Sequence, residues 1–513
     1  MRSTSLFRTL AVLSAAALWA CSAPSPTQPR AGVLGMNDFL LAFNTYNTAQ
    51  THLKQGRHPE AVVEYEESLT RYNRLAPATR ERLRTEFGLS QQQIERELLI
   101  ARGLADRHGS GHGDVAFRGR VLDGFYPYRR GTPLTGTITP GLRISADNWQ
   151  AAQGLLPPQL LRHLGNGDFS IVVQETTDLP PSAAYIVATL GAGDQVRLGD
   201  DGAELAAYRA GLPFAALSET DPQAGLKAAW NIRYRDSADR IEQWTETVSR
   251  DSQSQTQYTF SSHSAQAFGM YRARQEYNVA DWQNGGIVAK EYVQLLSFPF
   301  DQTSAPAGRG MGFLRHRYQT DRRPIGQWMT APNSGQFRAV GHNPEASALG
   351  FTMIAEDVVG EQIPTFDWRL VTRQLALVPG FVRGRTARFG GSGGGYPTDP
   401  WELRQVYVLE TLPRSPQHPY SRRVLYVDQQ TSAPLYAFMF DTEGEHWRTL
   451  LYSYGHPRYA QDNPNVEVPI LLGRSWIDHR TERTTVSSVS RSRYNHDLSL
   501  ELFSFSRLMQ RGK

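Results

Sequence analysis

Residues 401–454 read WELRQVYVLETLPRSPQHPYSRRVLYVDQQTSAPLYAFMFDTEGEHWRTLLYSY, and this stretch decides the fold. Strand-like runs occupy Leu403 to Leu412, Arg423 to Asp428, Leu435 to Asp441 and Trp447 to Tyr454. Period-two alternation marks strands, because successive side chains point to opposite faces. Short turns separate the runs, among them Asp441-Thr442-Glu443-Gly444. Parallel neighbours need a long crossover, so four runs joined by short turns form an antiparallel meander.

The same alternation extends upstream to about Arg118. Phe169 to Glu175, Tyr185 to Leu198, Thr256 to Phe260, Ile287 to Phe298 and Met311 to Tyr318 read as further strands. Helices are few here. Ala146 to Leu156 and Gln159 to Leu164 are the best candidates, divided by Pro157-Pro158, since proline lacks an N–H and clashes with the preceding turn.

Residues 35–105 change to helical spacing. Ala49, Leu53, Gly56, Ala61, Tyr65 and Leu69 resemble one tetratricopeptide helix pair, with Gly56 at the turn and Ala61 allowing close contact. A second helical stretch covers Thr79 to His108. One repeat does not make a stable stack, so this is either a cap on the next domain or a partner-binding module. Gly109-Ser110-Gly111-His112-Gly113 marks the boundary.

The N-terminus has the three parts of a secretory signal: Arg2 and Arg8, an apolar run from Leu10 to Trp19, and Ala20 ahead of Cys21. The run is too short to span a bilayer, which takes about 20 residues. Leu18-Trp19-Ala20-Cys21 resembles the bacterial lipobox, with Trp19 where a small residue is usual. Cys21 is the only cysteine, so no intrachain disulfide forms, and lipidation is its expected role. Ser22 to Arg30 suits a solvated tether, and the resemblance to lipobox proteins with serine after the cysteine implies sorting to the outer membrane. The expected organisation is a signal over 1–20, a lipidated tether over 21–34, a helical module over 35–108, a linker over 109–118 and a β-rich domain over 119–513.

A formal charge of +4 on 513 residues offers no nucleic-acid stripe and no polybasic membrane patch. No nucleic-acid partner is expected. The 22 Tyr, 22 Phe and 10 Trp suit sheets with large apolar faces.

Tyr208 to Asn231 contains Tyr208-Arg-Ala-Gly211-Leu212-Pro213-Phe214, then Asp221-Pro222-Gln-Ala-Gly225, then Trp230-Asn231. Leu155-Leu156-Pro157-Pro158, Gly167-Asp168-Phe169, Val196-Arg197-Leu198, Phe366-Asp367-Trp368, Trp401-Glu402-Leu403-Arg404 and Tyr426-Val427-Asp428 accompany it. In this order they resemble the family known as domain of unknown function 1329, over about Gly136 to Arg507. That resemblance implies a LolA/LolB-type architecture: mainly β (α+β), a curved antiparallel half-barrel sheet closed by short helices over an apolar hollow, here preceded by the small N-terminal helical module. It also implies a carrier of lipid or another apolar ligand in envelope transport, beside a permease. The chain departs from the family in two places. The basic cluster after the central tryptophan is reduced to Arg338, beyond Trp328 and Pro332, and the helical module is an addition. Tyr208, Gly211, Leu212, Pro213, Phe214, Pro222, Gly225, Trp230 and Asn231 either stabilise a bend and its core or line the ligand site.

Catalytic motifs are weak. Gly390-Gly391-Ser392-Gly393-Gly394 matches Gly-x-Ser-x-Gly only formally, because that elbow needs an entering strand and a leaving helix, whereas Gly384 to Pro400 reads as a flexible loop. His108, His112 and Asp114 lie in a glycine-rich linker unsuited to fixed metal geometry. His446 reads as a solvated turn residue, and Asp441, Glu443 and Glu445 as turn chemistry. No phosphate loop or dinucleotide fingerprint occurs. No catalytic residue, metal or cofactor is therefore assigned. The expected function is a lipid-anchored carrier on the periplasmic face of the outer membrane. An accessory scaffold docking on a permease or channel is the alternative, and an envelope hydrolase the minor one.

Overall fold

The computed structural model describes residues 31–105, 115–128, 133, 137–297, 311–330, 336–339, 362–459 and 466–511. Cys21, His108, His112, Asp114 and Pro332 lie outside them, as do the signal, the tether and Gly109 to Gly113. The described residues form two compact units, 31–53 with 59–98 and 54–58 with 99–511.

The first unit is helical: α1 (Ala31–Lys54), α2 (His58–Arg74), α3 (Pro77–Phe87) and the start of α4 (Gln91–Ala105). Gly56, with φ +75°, makes the turn after α1, a conformation that favours glycine. Ala42, Ala49, Ala61, Tyr65, Leu83 and Ile94 are completely buried. At its centre the Glu97 carboxylate accepts hydrogen bonds from Tyr46 (2.9 Å), Gln50 (2.7 Å) and Tyr65 (2.6 Å). A buried carboxylate needs such donors to offset its lost hydration.

The second unit holds one thirteen-stranded antiparallel sheet. Its strands are β1 (Arg240–Arg250), β2 (Thr256–Phe268), β3 (Ile287–Ser297), β4 (Gly312–Tyr318), β5 (Gly326–Thr330) and β6 (Phe337–Ala339), then β7 (Phe366–Pro379), β8 (Trp401–Pro413), β9 (Arg422–Asp428), β10 (Pro434–Phe440), β11 (His446–Gly455), β12 (Ile470–Asp478) and β13 (Arg483–Tyr494). Two meanders run side by side, in the order β6-β5-β4-β3-β2-β1-β13-β12-β11-β10-β9-β8-β7. The first and last strands join them, with Val486 opposite Val248. The meander read from residues 401–454 is therefore present as β8 to β11.

The half barrel is not. The sheet is open, neither closed nor strongly curled, and its edges β6 and β7 do not pair although they follow one another in the chain. The reason lies on β7. Its outward Leu377 N–H already donates to the Leu155 carbonyl (2.8 Å), and its Arg373 N–H to the Glu219 carboxylate (2.7 Å). These two donors are thereby withheld from another strand.

Helices α5 (Val115–Phe125), α6 (Pro158–Gly165), α7 (Ala183–Ala192), α8 (Ala224–Arg233), α9 (Ala280–Asn284) and α10 (Phe505–Arg511) complete this unit. Three local expectations need correction. Tyr185 to Leu198 is mostly helix α7, whose sequence AAYIVATLGA is buried almost all round and so lacks the polar stripe that marks a surface helix. Ala146 to Leu156 forms only a short 3-10 turn over Trp149–Ala152. Gly384 to Pro400 contains a small hairpin, Phe389–Gly390 with Tyr396–Pro397, and Ser475 Oγ donates to the Gly395 carbonyl (2.5 Å).

The two meanders are filled differently. β10 is buried at every position, while β4 alternates between buried and half-buried. Residues Ile138 to Tyr234 contribute heavily to the core cluster shared with β7 to β12. On the first meander, Trp282, Leu498, Phe503 and Leu508 cover Ala265, Ala267, Tyr292 and Leu314.

Candidate functional site

The signature residues converge on α7, α8 and the covered edge of the sheet. Tyr208 Oη donates to the Gly211 carbonyl (2.8 Å), closing the loop between them. Gly211 has φ +87°, and a Cβ there would stand 2.5 Å from the Thr189 backbone nitrogen of α7. Leu212 N–H donates to Thr189 Oγ1 (2.8 Å). After the buried Pro213, Phe214 and Asn231 exchange two hydrogen bonds: Phe214 N–H to Asn231 Oδ1 (3.0 Å) and Asn231 Nδ2 to the Phe214 carbonyl (2.8 Å).

Asn231 and Trp230 lie on α8. Trp230 is 1% exposed and donates through Nε1 to the Gly202 carbonyl (3.2 Å). Gly225 lets α8 meet β7 backbone to backbone, since a Cβ there would sit 2.4 Å from Arg369 N and 2.5 Å from the Trp368 carbonyl carbon. Pro222 is exposed in the turn before α8, away from the others. Beside it, the hydrogen bond and ion pair with Lys227 (2.6 Å) hold the Asp221 carboxyl below its usual range.

Below Tyr208 lies a small polar hollow of about 10 Å³, room for about one water. Tyr185, Tyr234, Asp236, Tyr271 and Arg272 line it. The Tyr208, Tyr234 and Tyr271 rings form a mutual cluster with centroids 4.6, 5.0 and 5.6 Å apart. Tyr271 has φ +61°, a left-handed conformation costing roughly 1–2 kcal/mol in a residue with a Cβ. Asp236 accepts the Ser182 N–H (2.6 Å) at the start of α7, yet burial pushes its carboxyl up. Burial likewise pushes the Tyr185, Tyr208 and Tyr234 phenols up, so all three are neutral at physiological pH. The Arg272 and Arg274 guanidiniums are committed to Asp239, at 2.5 and 2.8 Å. Neutral phenols, one protonation-prone carboxyl and satisfied cations can hold a polar group in place. They supply no activated nucleophile.

A second buried assembly ties the core to the sheet. Arg404, wholly buried, contacts Glu402 (2.8 Å) and Asp428 (2.6 Å) and lies 4.8 Å from the Phe381 ring centroid. Gln174 and Thr177 also donate to Glu402, at 2.9 and 2.8 Å. Burial raises the Glu402 carboxyl despite these partners.

Of the other candidates, Ser392 is exposed in a hairpin turn whose flanking Gly391, Gly393 and Gly394 all have positive φ. No helix leaves that turn, so the nucleophile elbow is absent there. Arg338 is exposed on β6, opposite Met329. His446 is not a solvated turn residue. It is half-buried, 4.4 Å from the His479 ring. Sequence reasoning singled out Tyr208 and Trp230 but missed Tyr234 and Asp236, a few residues further along the same segment, and Tyr271 and Arg272, which adjoin them only in three dimensions. The left-handed Tyr271 has no local signal, since it is not a glycine or asparagine.

Fold and site define a large antiparallel-sheet protein, preceded in the chain by a helical unit, with a tyrosine-lined polar hollow beside the start of β1 and the end of β2. Residues 143–505 match the family described as protein of unknown function (DUF1329), and the chain belongs to that family. Among solved structures, it is similar to a domain described as a candidate outer membrane lipoprotein-sorting protein from Vibrio parahaemolyticus, with 16% identity, 56% of this chain and 100% of that one covered, and TM-score 0.39. A DUF1329 protein from Desulfovibrio piger shows 17% identity, coverage of 56% and 100%, and TM-score 0.40. A LolA superfamily protein from Nitrosomonas europaea shows 12% identity, coverage of 56% and 98%, and TM-score 0.33. No curated protein matches the chain. Among the described residues, no helix is long and apolar enough to cross a membrane.

Proposed function

We propose that the chain is a non-enzymatic lipoprotein, anchored through Cys21 on the periplasmic face of the outer membrane, that binds or carries a lipid or other apolar ligand in envelope transport. The difference in filling between the two meanders carries this reading. β4 buries Leu314, His316 and Tyr318 on one face and leaves Phe313, Arg315 and Arg317 half-buried on the other. Near the start of β2 and the end of β3, Phe260 and Leu295 cluster with the partly buried Met311 and Phe313, and Leu296 is 39% exposed. A hydrocarbon chain laid there removes apolar area from water at about 25 cal/mol per Å². Arg315, 3.4 Å from Glu291, supplies a polar anchor of the kind that orients a ligand.

On this reading the ligand lies on an open face of the first meander, because the hollow near Tyr208 has room only for about one water. The signature residues then act structurally: they seat α8 on β7 and keep that edge covered. The test is to express the mature chain without its anchor, extract it mildly, identify co-purifying lipid by mass spectrometry and titrate a fluorescent fatty acid. Retained lipid and saturable binding support the reading. Absence of both co-purifying lipid and fatty-acid binding contradicts it.

The separate helical unit favours a second reading, an accessory scaffold on an envelope permease or channel. Deleting residues 35–105 should then abolish partner pull-down and leave fatty-acid binding intact. Unfolding of the remainder would make the segment structural.

A further inference from the structure

A cluster at one end of the second meander takes no part in that function. Three imidazoles from separate elements meet there: His163 on α6, His446 at the start of β11, and His479 directly after β12. The His163 and His479 rings stack at 4.8 Å, and the His446 and His479 centroids are 4.4 Å apart. Thr449 Oγ1 stands between the last two, 3.1 Å from His446 Nε2 and 2.9 Å from His479 Nε2.

The partners assign the protons. The Arg448 carbonyl, 3.1 Å from His446 Nε2, can only accept, so that nitrogen carries hydrogen. The Thr449 hydroxyl then donates to a lone pair on His479 Nε2. This chain of hydrogen bonds needs no added proton, and the buried His446 Nδ1 has no partner.

The cation facing the cluster opposes protonation of His446 and His479. Arg162 lies on the same helix as His163 and lowers the affinity of both His446 and His479 for protons. Asp168 is the facing carboxylate, and it is engaged with His163 Nδ1 at 2.6 Å. On the sheet side, Asp478 is held by Trp447 Nε1 (3.0 Å) and Arg448 (3.1 Å), and Arg480 pairs with Asp441. Tyr396 of the 389–397 hairpin, 6.1 Å from His163, is neutral. Among the described residues, no cluster is arranged to hold a metal ion.

We propose that the three imidazoles form an acid-released latch, which clips α6 and the 389–397 hairpin onto β11 and β12 at neutral pH and lets that layer lift when His446 and His479 gain protons. The layer has its own ties: Ser392 N–H donates to the Asp168 carbonyl (2.7 Å), and Phe169 stacks on Tyr396 at 4.5 Å. It is therefore expected to move as a unit. Burial, and then repulsion from the other rings and Arg162, push His446 down to about 4 and His479 to about 2. A released ring titrates near 6.5, above these values, so between them the open state binds more protons. The latch is fully closed above about pH 6.5 and weakens as pH falls toward about 4, by up to about tenfold per pH unit for each ring.

The test is hydrogen–deuterium exchange on the full chain at about pH 7.5 and about pH 5, corrected for intrinsic rates. Segments 158–170 and 386–398 should exchange at least about tenfold faster at the lower pH, with β8 to β10 unchanged. In the double variant His446→Gln, His479→Gln the difference between the two pH values should vanish. Equal wild-type protection at both pH values, or an undiminished response in the variant, overturns the proposal. Should the variant misfold, ring titration of the wild type by NMR decides. A midpoint coinciding with loss of protection over 158–170 supports the latch, and titration near 6.5 with that segment still protected refutes it.

Discussion

The two meanders share one sheet and one antiparallel pairing scheme, yet β9 to β12 of the second are buried at most positions while strands of the first alternate. β10 reads Pro-Leu-Tyr-Ala-Phe-Met-Phe, apolar at both parities, and every position is buried. In β2, the half-buried Ser264 and Gln266 alternate with the buried His263, Ala265 and Ala267. A strand with apolar residues on both faces needs cover on both, and residues 138–234 contribute heavily to the core cluster that packs on it. A strand with one mixed face leaves that face accessible to a ligand. The sheet thus divides into a filled half that fixes the architecture and a half-filled one where binding can occur without disturbing the core.

The largest expected effect tests the filled half. Arg404→Ala leaves Glu402 and Asp428 as buried, uncompensated carboxylates and should destabilise by about 3–5 kcal/mol in denaturant unfolding. A milder result would mean that water reaches the cluster. Phe438→Ala, at a 1% exposed position of β10, should cost a similar 3–5 kcal/mol or so. Gly225→Ala, which drives a Cβ into the backbone of β7, should cost about 1–3 kcal/mol and raise amide exchange at Arg373 and Leu377. The smallest stability change belongs to the first meander: Phe313→Gln should shift unfolding by less than about 1 kcal/mol. Its expected signature is weaker fatty-acid binding by about tenfold, roughly 1.4 kcal/mol. Equal stability losses for Phe438→Ala and Phe313→Gln would erase the distinction between the halves.

Much of the filled half was legible because its strands are long, apolar and joined by turn-rich segments. Leu403 to Leu412 and Trp447 to Tyr454 fall within β8 and β11. Ile287 to Phe298 and Met311 to Tyr318 anticipated β3 and β4 within one residue at the described ends. α7 was misread for the same reason that β10 was readable: a run apolar on all sides carries no period, and Tyr, Ile, Val and Thr suggest a strand. The openness of the sheet was beyond reach, since it depends on Leu155 and Glu219 occupying β7 from more than a hundred residues away in sequence. At the site, the signature drew attention to Tyr208, Gly211, Trp230 and Asn231. The partners that give it shape are Tyr234 and Asp236 directly after α8 and Tyr271 after β2, two segments with no fixed spacing. The histidine cluster was missed because His163, His446 and His479 are brought together only by the packing of α6 on the sheet.

The most direct test of the two-halves account is photocrosslinking. A fatty acid with a photoreactive tail would be bound to the anchor-free protein, irradiated and mapped by peptide mass spectrometry. The account predicts adducts on β2 to β4, around Val293, Leu296 and Phe313, and none on β8 to β12. Adducts concentrated on β9 to β11, or saturable binding undiminished by Phe313→Gln, would contradict it.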